Sequence, residues 1–187
     1  MNSILGLFLP FGEALSQTVQ SLLPKVNTRP LGSKTDPRRL TAKGRALVLS
    51  LAKAAVGLGF VNACLASLIP LFAAGVFTTD PGVAAQMASV APYAMAVLVF
   101  HALSTTLEGA LFTTGDGAFL GRSYPLNSLV TCSGFFLLRQ SHAPLPVLWR
   151  LLTAYNVCRV MQFAARILWN QRLTPQPELL PKETKQL

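Results

Sequence analysis

The chain has 187 residues, 51% of them hydrophobic and only 12% charged, yet it carries a net charge of +9 and a mean hydropathy of +0.46. Soluble domains carry about twice that charged fraction. Nucleic-acid binders are basic but less apolar, and disordered tails are basic but poor in Leu, Val and Phe. Three cysteines at widely spaced positions, Cys64, Cys132 and Cys158, exclude a disulfide scaffold. The remaining class is an all-α, multi-pass membrane protein whose charges are sorted away from its apolar stretches.

Taken in chain order, the apolar stretches predict about five transmembrane helices, over residues 3–24, 46–76, 82–113, 118–139 and 146–170. The first carries only Glu13 as a charge, and it resembles neither a secretory signal nor a transit peptide. The second holds Lys53 alone, and Gly57 and Gly59 would let a neighbouring helix approach closely. The third starts after Asp80-Pro81, an N-cap followed by a residue suited to the first turn. Gly115-Asp116-Gly117 reads as the turn before the fourth, and the fifth contains Arg150, Arg159 and Arg166. Pro10, Pro70, Pro92 and Pro125 fall inside helices, so kinks are expected. Domain organisation follows as a helix at 1–26, a basic loop at 27–44, a four-helix region at 45–170 and a polar tail at 171–187.

Orientation comes from the connections. Lys25, Arg29, Lys34, Arg38, Arg39, Lys43 and Arg45 face Asp36 in the first, which places it inside. The Thr78–Gly82 connection has no basic residue and belongs outside. The turn at Asp116 and Arg122 and the tail with Arg172, Lys182 and Lys185 return inside, and only the Arg139–Arg150 connection argues the other way. Five crossings ending inside begin outside, which predicts further helices upstream of Met1.

Ionisable groups within apolar helices are candidate functional sites, because hydrocarbon makes them costly. His101, Ser104, Thr105 and Glu108 recur at i, i+3, i+4 and i+7, as do Glu13, Ser16, Gln17 and Gln20. The two stripes predict a hydrated cavity with Glu13, Gln17, Gln20, His101, Ser104, Thr105 and Glu108 as substrate or proton pathway. The alternatives are interhelical packing for the stripes and a structural pair of Glu108 with Arg122. Asp116, Arg122 and Arg159 are the ion-pair candidates, with Tyr155 one turn before Arg159. No metal-ligand spacing, phosphate-binding glycine loop or hydrolase motif is present, so neither a cofactor, a metal nor an enzymatic activity is expected.

The stretch Phe11-Gly12-Glu13-Ala14-Leu15-Ser16-Gln17-Thr18-Val19-Gln20-Ser21-Leu22-Leu23-Pro24 resembles the "GEPLSQTAQSFMP" segment of the plant multidrug and toxic compound extrusion (MATE) transporters. Val76-Phe77-Thr78-Thr79-Asp80-Pro81-Gly82-Val83 is similar to their "FTxDxxV" connection, and Ser104-Thr105-Thr106-Leu107-Glu108-Gly109-Ala110-Leu111 with Gly115-Asp116 to their "SLEGTLLAGRD" segment. The spacing of Trp149, Arg159 and Arg166 is similar to the family's last helix. Ala14 departs from the family's Pro, and Thr113-Thr114-Gly115 and Gly117 depart around Asp116. The wording is that of the plastid-envelope branch.

The resemblance implies a fold of twelve helices in two six-helix lobes, of which this chain is most of the C-terminal lobe. It also implies a secondary antiporter that exports organic ions, metabolites or xenobiotics in exchange for H⁺ or Na⁺. The implied partners are the lipid bilayer, a small organic substrate and the missing N-terminal lobe or other membrane helices, with no nucleic acid. The competing class is a non-transporting integral membrane interaction protein or an inactive fragment.

Overall fold

A computed structural model describes residues 2–28 and 36–172, with side chains from Leu5 onward. The chain runs α1 (Asn2–Val26), α2 (Ala42–Phe72), the single turn α3 (Ala74–Phe77), α4 (Pro81–Thr113), α5 (Gly117–Gln140) and α6 (Leu145–Arg172), with no strand among the described residues. Each of the five expected helices is present as a long helix. The tail beyond Arg172 and residues 29–35 of the basic loop, both expected inside, lie outside the described residues.

The second helix differs from expectation at both ends. It starts at Ala42, because Thr41 is an N-cap whose Oγ1 accepts the Gly44 N–H at 3.1 Å. The Thr41 N–H in turn donates to Asn27 Oδ1 at 2.7 Å, tying the end of α1 to the start of α2. Its other end comes early. Pro70 deprives the last turn of one backbone donor, the Ala73 N–H still reaches Ile69 O, and Ala73 then leaves helical geometry with ψ 17°. The chain re-forms one turn, α3, before Thr78 goes extended.

The remaining boundaries follow local chemistry. Asp80 accepts the Gly82 N–H at 2.7 Å with Pro81 in the first turn of α4. At the far end of α4 the Asp116 N–H bonds Leu111 O and the Gly115 N–H bonds Phe112 O, with Gly115 at φ +79°. This paired pattern is the Schellman ending, which needs a residue with positive φ at the position Gly115 occupies.

The bundle is built around α4, which packs against α1, α2 and α6, while α5 lies at the edge against α6. Two apolar clusters hold it. One joins Val19, Leu23, Val48, Leu111, Leu120 and Phe163, and the other joins Leu5, Ala63, Val90, Ala94, Leu98 and Trp149. Glycine sets the closest approaches. A Cβ on Gly59 would lie 2.9 Å from Val99 Cα, so α2 and α4 touch backbone to backbone there. Gly57, expected to serve the same purpose, faces open space, because it lies about 200° around the helix from Gly59.

The outer faces are apolar. Phe60, Leu65, Leu68 and Phe72 of α2 and Leu126, Leu129, Val130 and Leu137 of α5 are all exposed. Patches of this extent suit hydrocarbon better than water. Among the described residues two helices, α2 and α4, are long and apolar enough to cross a membrane.

Charge gathers at one end. The end of α1, the start of α2, the α4–α5 turn and the end of α6 meet around the first cluster. With its amide oriented to satisfy both groups, Gln171 accepts the Leu40 N–H at 2.8 Å and donates to Leu40 O at 3.3 Å. Lys25, Arg38, Lys43, Arg45, Arg122 and Arg172 are exposed in this region, against Asp36 and Asp116.

Candidate functional site

The polar stripe of α4 divides according to what each side chain meets. Ser104 and Thr105 are buried, and their hydroxyls are spent on backbone. Ser104 Oγ donates to His101 O at 2.9 Å, and Thr105 Oγ1 lies 3.1 Å from His101 O, Ala102 O and, across on α1, Gly12 O. These residues fasten α4 to itself and to α1, as polar groups in an apolar bundle do. His101 and Glu108 hold the ionisable chemistry.

His101 faces α1. Its Nε2 lies 3.7 Å from Glu13 Oε1, too long for a hydrogen bond, and has no hydrogen-bond partner among the described residues. Glu13 itself is 57% exposed, and Gln17 and Gln20 share its exposed side of α1. Gln20 Nε2 donates to Ser16 Oγ at 3.3 Å, while Ser16 is buried against α4.

Glu108 faces α6. Its Oε2 accepts from Arg159 Nη2 at 2.8 Å, and the same Nη2 lies 3.3 Å from the Tyr124 hydroxyl on α5. The Arg159 side chain is 9% exposed, with its guanidinium 5.4 to 5.6 Å from the ring centres of Tyr124, Tyr155 and Phe163. A delocalised cation suits such a ring cage better than an ammonium would. The expected pair of Glu108 with Arg122 does not form. Arg122 lies on the exposed side of α5 and makes no ion pair among the described residues, and Glu108 points to the α6 side where Arg159 waits.

The stripe thus meets α1 through His101 and α6 through Glu108. Three buried atoms along this seam lack hydrogen-bond partners among the described residues: His101 Nε2, Asn156 Oδ1 and Arg159 Nε. Unmet capacity of this kind usually marks a place for water, an ion or a ligand. Sequence reasoning missed Asn156 and Tyr124, although Tyr124 stands at i before Asn127, Ser128 and Thr131 at i+3, i+4 and i+7, and Asn156 lies three residues from both Thr153 and Arg159.

Three arginines of α6, the exposed Arg150 among them, are held by partners from α4 or its end. Arg150 Nε donates to Tyr93 Oη at 2.9 Å, Arg159 pairs with Glu108, and Arg166 grips Asp116 through Nε at 2.6 Å and Nη2 at 3.0 Å. Asn170 Nδ2 adds a third donor to Asp116 at 2.9 Å. Asp116 is thus the partner of Arg166. Gln162 and Asn127 exchange two amide hydrogen bonds of 2.7 and 3.0 Å and join α6 to α5.

Asp116 sits in the α4–α5 turn, and its Arg166 partner holds its carboxyl below the usual carboxylate range, helped by Asn170 and opposed by desolvation. A folded-state value below the unfolded one means that the carboxylate stabilises the fold at neutral pH and that this contribution is lost as pH falls through the folded value. Asp116→Asn is therefore expected to lower the melting temperature at pH 7, with the gap to wild type closing below about pH 4. Thermal unfolding followed by helicity across pH 3–7 checks this, and a gap unchanged at pH 3 would refute it.

No group of three or more His, Cys, Asp or Glu side chains that could hold a metal occurs among the described residues. Cys64, Cys132 and Cys158 are free thiols.

Over 159 residues the chain is 26% identical to a protein of Arabidopsis thaliana named Protein DETOXIFICATION 47, chloroplastic. The likeness supports a distant relation to the plant DETOXIFICATION (MATE) transporters. The match takes in 84% of this chain but 28% of the relative, so the chain spans well under a third of that protein's length. No family profile matches the chain, and no solved structure matches it.

Proposed function

We propose that the chain is the C-terminal-lobe part of a MATE-type secondary antiporter, inserted in the membrane through its five long helices and exchanging an organic ion, metabolite or xenobiotic for H⁺. The observation that carries this reading is the set of ionisable groups His101, Glu108 and Arg159 on α4 and α6 in a bundle with apolar outer faces, with Glu13 of α1 exposed beside His101. Ionisable groups so placed mark ion or proton pathways by default. A proton arriving on Glu108 removes the charge that holds Arg159, which loosens α6 from α4. That links proton occupancy to helix packing, the requirement for alternating access. The plastid envelope is the membrane we assign, from the name of the Arabidopsis relative.

Proteoliposomes holding a full-length version of the transporter, loaded with a fluorescent organic cation and given a proton gradient, test this. Wild-type protein is expected to speed efflux, and Glu108→Gln to bring it down to the rate without a gradient. Gradient-driven efflux unchanged in Glu108→Gln would remove the carboxylate from the mechanism. A second reading, a membrane interaction protein without transport, draws on Ser104 and Thr105, whose hydroxyls are spent on backbone carbonyls in helix packing. Absence of any gradient-driven efflux, together with stable co-purification of a second helical membrane protein, would favour it.

A further inference from the structure

Arg122 is a cation without a carboxylate partner among the described residues. It stands in the second turn of α5, on an exposed side otherwise populated by Leu126, Leu129 and Val130. In hydrocarbon such a side chain must reach the interface and find an anion there.

Three residues before it, and so on the same side of the helix, Phe119 borders an open cleft of about 350 Å³ between α5 and α6, whose other walls are Gln162, Ala165, Arg166 and Trp169. Arg166 uses Nε and Nη2 on Asp116, which leaves Nη1 for another acceptor, and its guanidinium lies 5.1 Å from the Phe119 ring centre. Trp169 is 54% exposed, and Arg172 follows one turn later at the helix end. The cleft is thus apolar walled, cationic at its rim and located at the basic end of the bundle. An exposed tryptophan at such an end sits at headgroup depth.

We propose that this α5–α6 cleft seats one anionic phospholipid, its phosphate between Arg122 and the free edge of Arg166 and its glycerol and upper acyl carbons against Phe119, Ala165 and Trp169. A zwitterionic lipid offers the same chains but carries a choline cation beside the same arginines. A free phosphate offers the anion and leaves the apolar walls uncovered. The seat therefore selects a single molecule having both parts. It requires membrane insertion and no transport, so it stands or falls separately from the antiport reading.

The test uses the 187-residue chain in neutral detergent, with native mass spectrometry counting retained lipid and thermal unfolding reporting stabilisation. Wild-type protein is expected to retain one phosphatidylglycerol in preference to phosphatidylcholine. Arg122→Gln is expected to weaken that retention roughly fivefold, the equivalent of about 1 kcal/mol per basic side chain. Trp169→Ala should weaken it as well and Trp169→Phe should restore it. A Lys43→Gln, Arg45→Gln double variant, altered on the basic end but away from the cleft, should bind as wild type does. Both arginine and tryptophan positions are exposed, so helicity is expected to be unchanged. Equal retention of the two lipids would overturn the proposal, as would wild-type retention in Arg122→Gln and Trp169→Ala. Stabilisation by glycerol phosphate or inorganic phosphate equal to that by phosphatidylglycerol would overturn it too, since it would show an anion site without a lipid seat.

Discussion

Arg159→Met is expected to destabilise the bundle by about 3–5 kcal/mol, because it strands the Glu108 carboxylate inside the packed helices. Glu108 is 20% exposed, and the charged group facing it is the Arg159 guanidinium at 2.8 Å. Domain stabilities run at about 5–15 kcal/mol, so a loss of this size would leave little folded protein under mild denaturation. The cost belongs to the orphaned charge and not to the pair as such. Glu108→Leu combined with Arg159→Met should recover most of it, since removing both ions at once removes both desolvation costs. The methionine thioether would also keep contact with the rings of Tyr124, Tyr155 and Phe163 that now surround the guanidinium. Denaturant titrations of the two single variants and the double variant, read by helicity, make the comparison. A single-variant loss below about 1 kcal/mol would mean that Glu108 is solvated or protonated without Arg159.

This pair also shows what could and could not be read from residue order. Apolar runs, the Asp80-Pro81 start and the Gly115 turn are local signals, and they placed the helices to within a few residues. The α2 boundary went astray because its cap is Thr41, a residue inside a basic loop with no apolar periodicity to flag it. Periodicity likewise aligned His101, Ser104, Thr105 and Glu108 on one side of α4. It could not say which helix packs there. Arg122 is 14 positions from Glu108 and Arg159 is 51, so proximity in sequence favoured the wrong arginine. Ser104 and Thr105 show the other limit. A hydroxyl in a helix can satisfy itself on the carbonyls three or four residues back, and the spacing is the same whether it does so or faces a ligand.

Gly109→Val should be about as damaging, for a steric reason. Even the first added carbon, a Cβ on Gly109, would lie 2.7 Å from Ser16 O, 2.9 Å from Ser16 Oγ and 3.2 Å from Ser16 Cα. Two of those three atoms are α1 backbone, so no rotamer change relieves the contact and α1 as a whole must retreat from α4. Overpacking of this kind costs about 1–3 kcal/mol, and the branched valine belongs at the upper end or beyond. Gly57→Ala supplies the comparison within the same bundle. A Cβ added at Gly57 would meet nothing within 4 Å, so only the helix-propensity term acts and the variant should gain about 0.5–1 kcal/mol. Ser16→Ala, which deletes Oγ alone, should fail to rescue Gly109→Val because the carbonyl oxygen at 2.7 Å remains. Thermal unfolding of the three variants in one detergent decides the matter. Full rescue by Ser16→Ala would place the obstruction in the side chain and not in the close passage of α1 over α4.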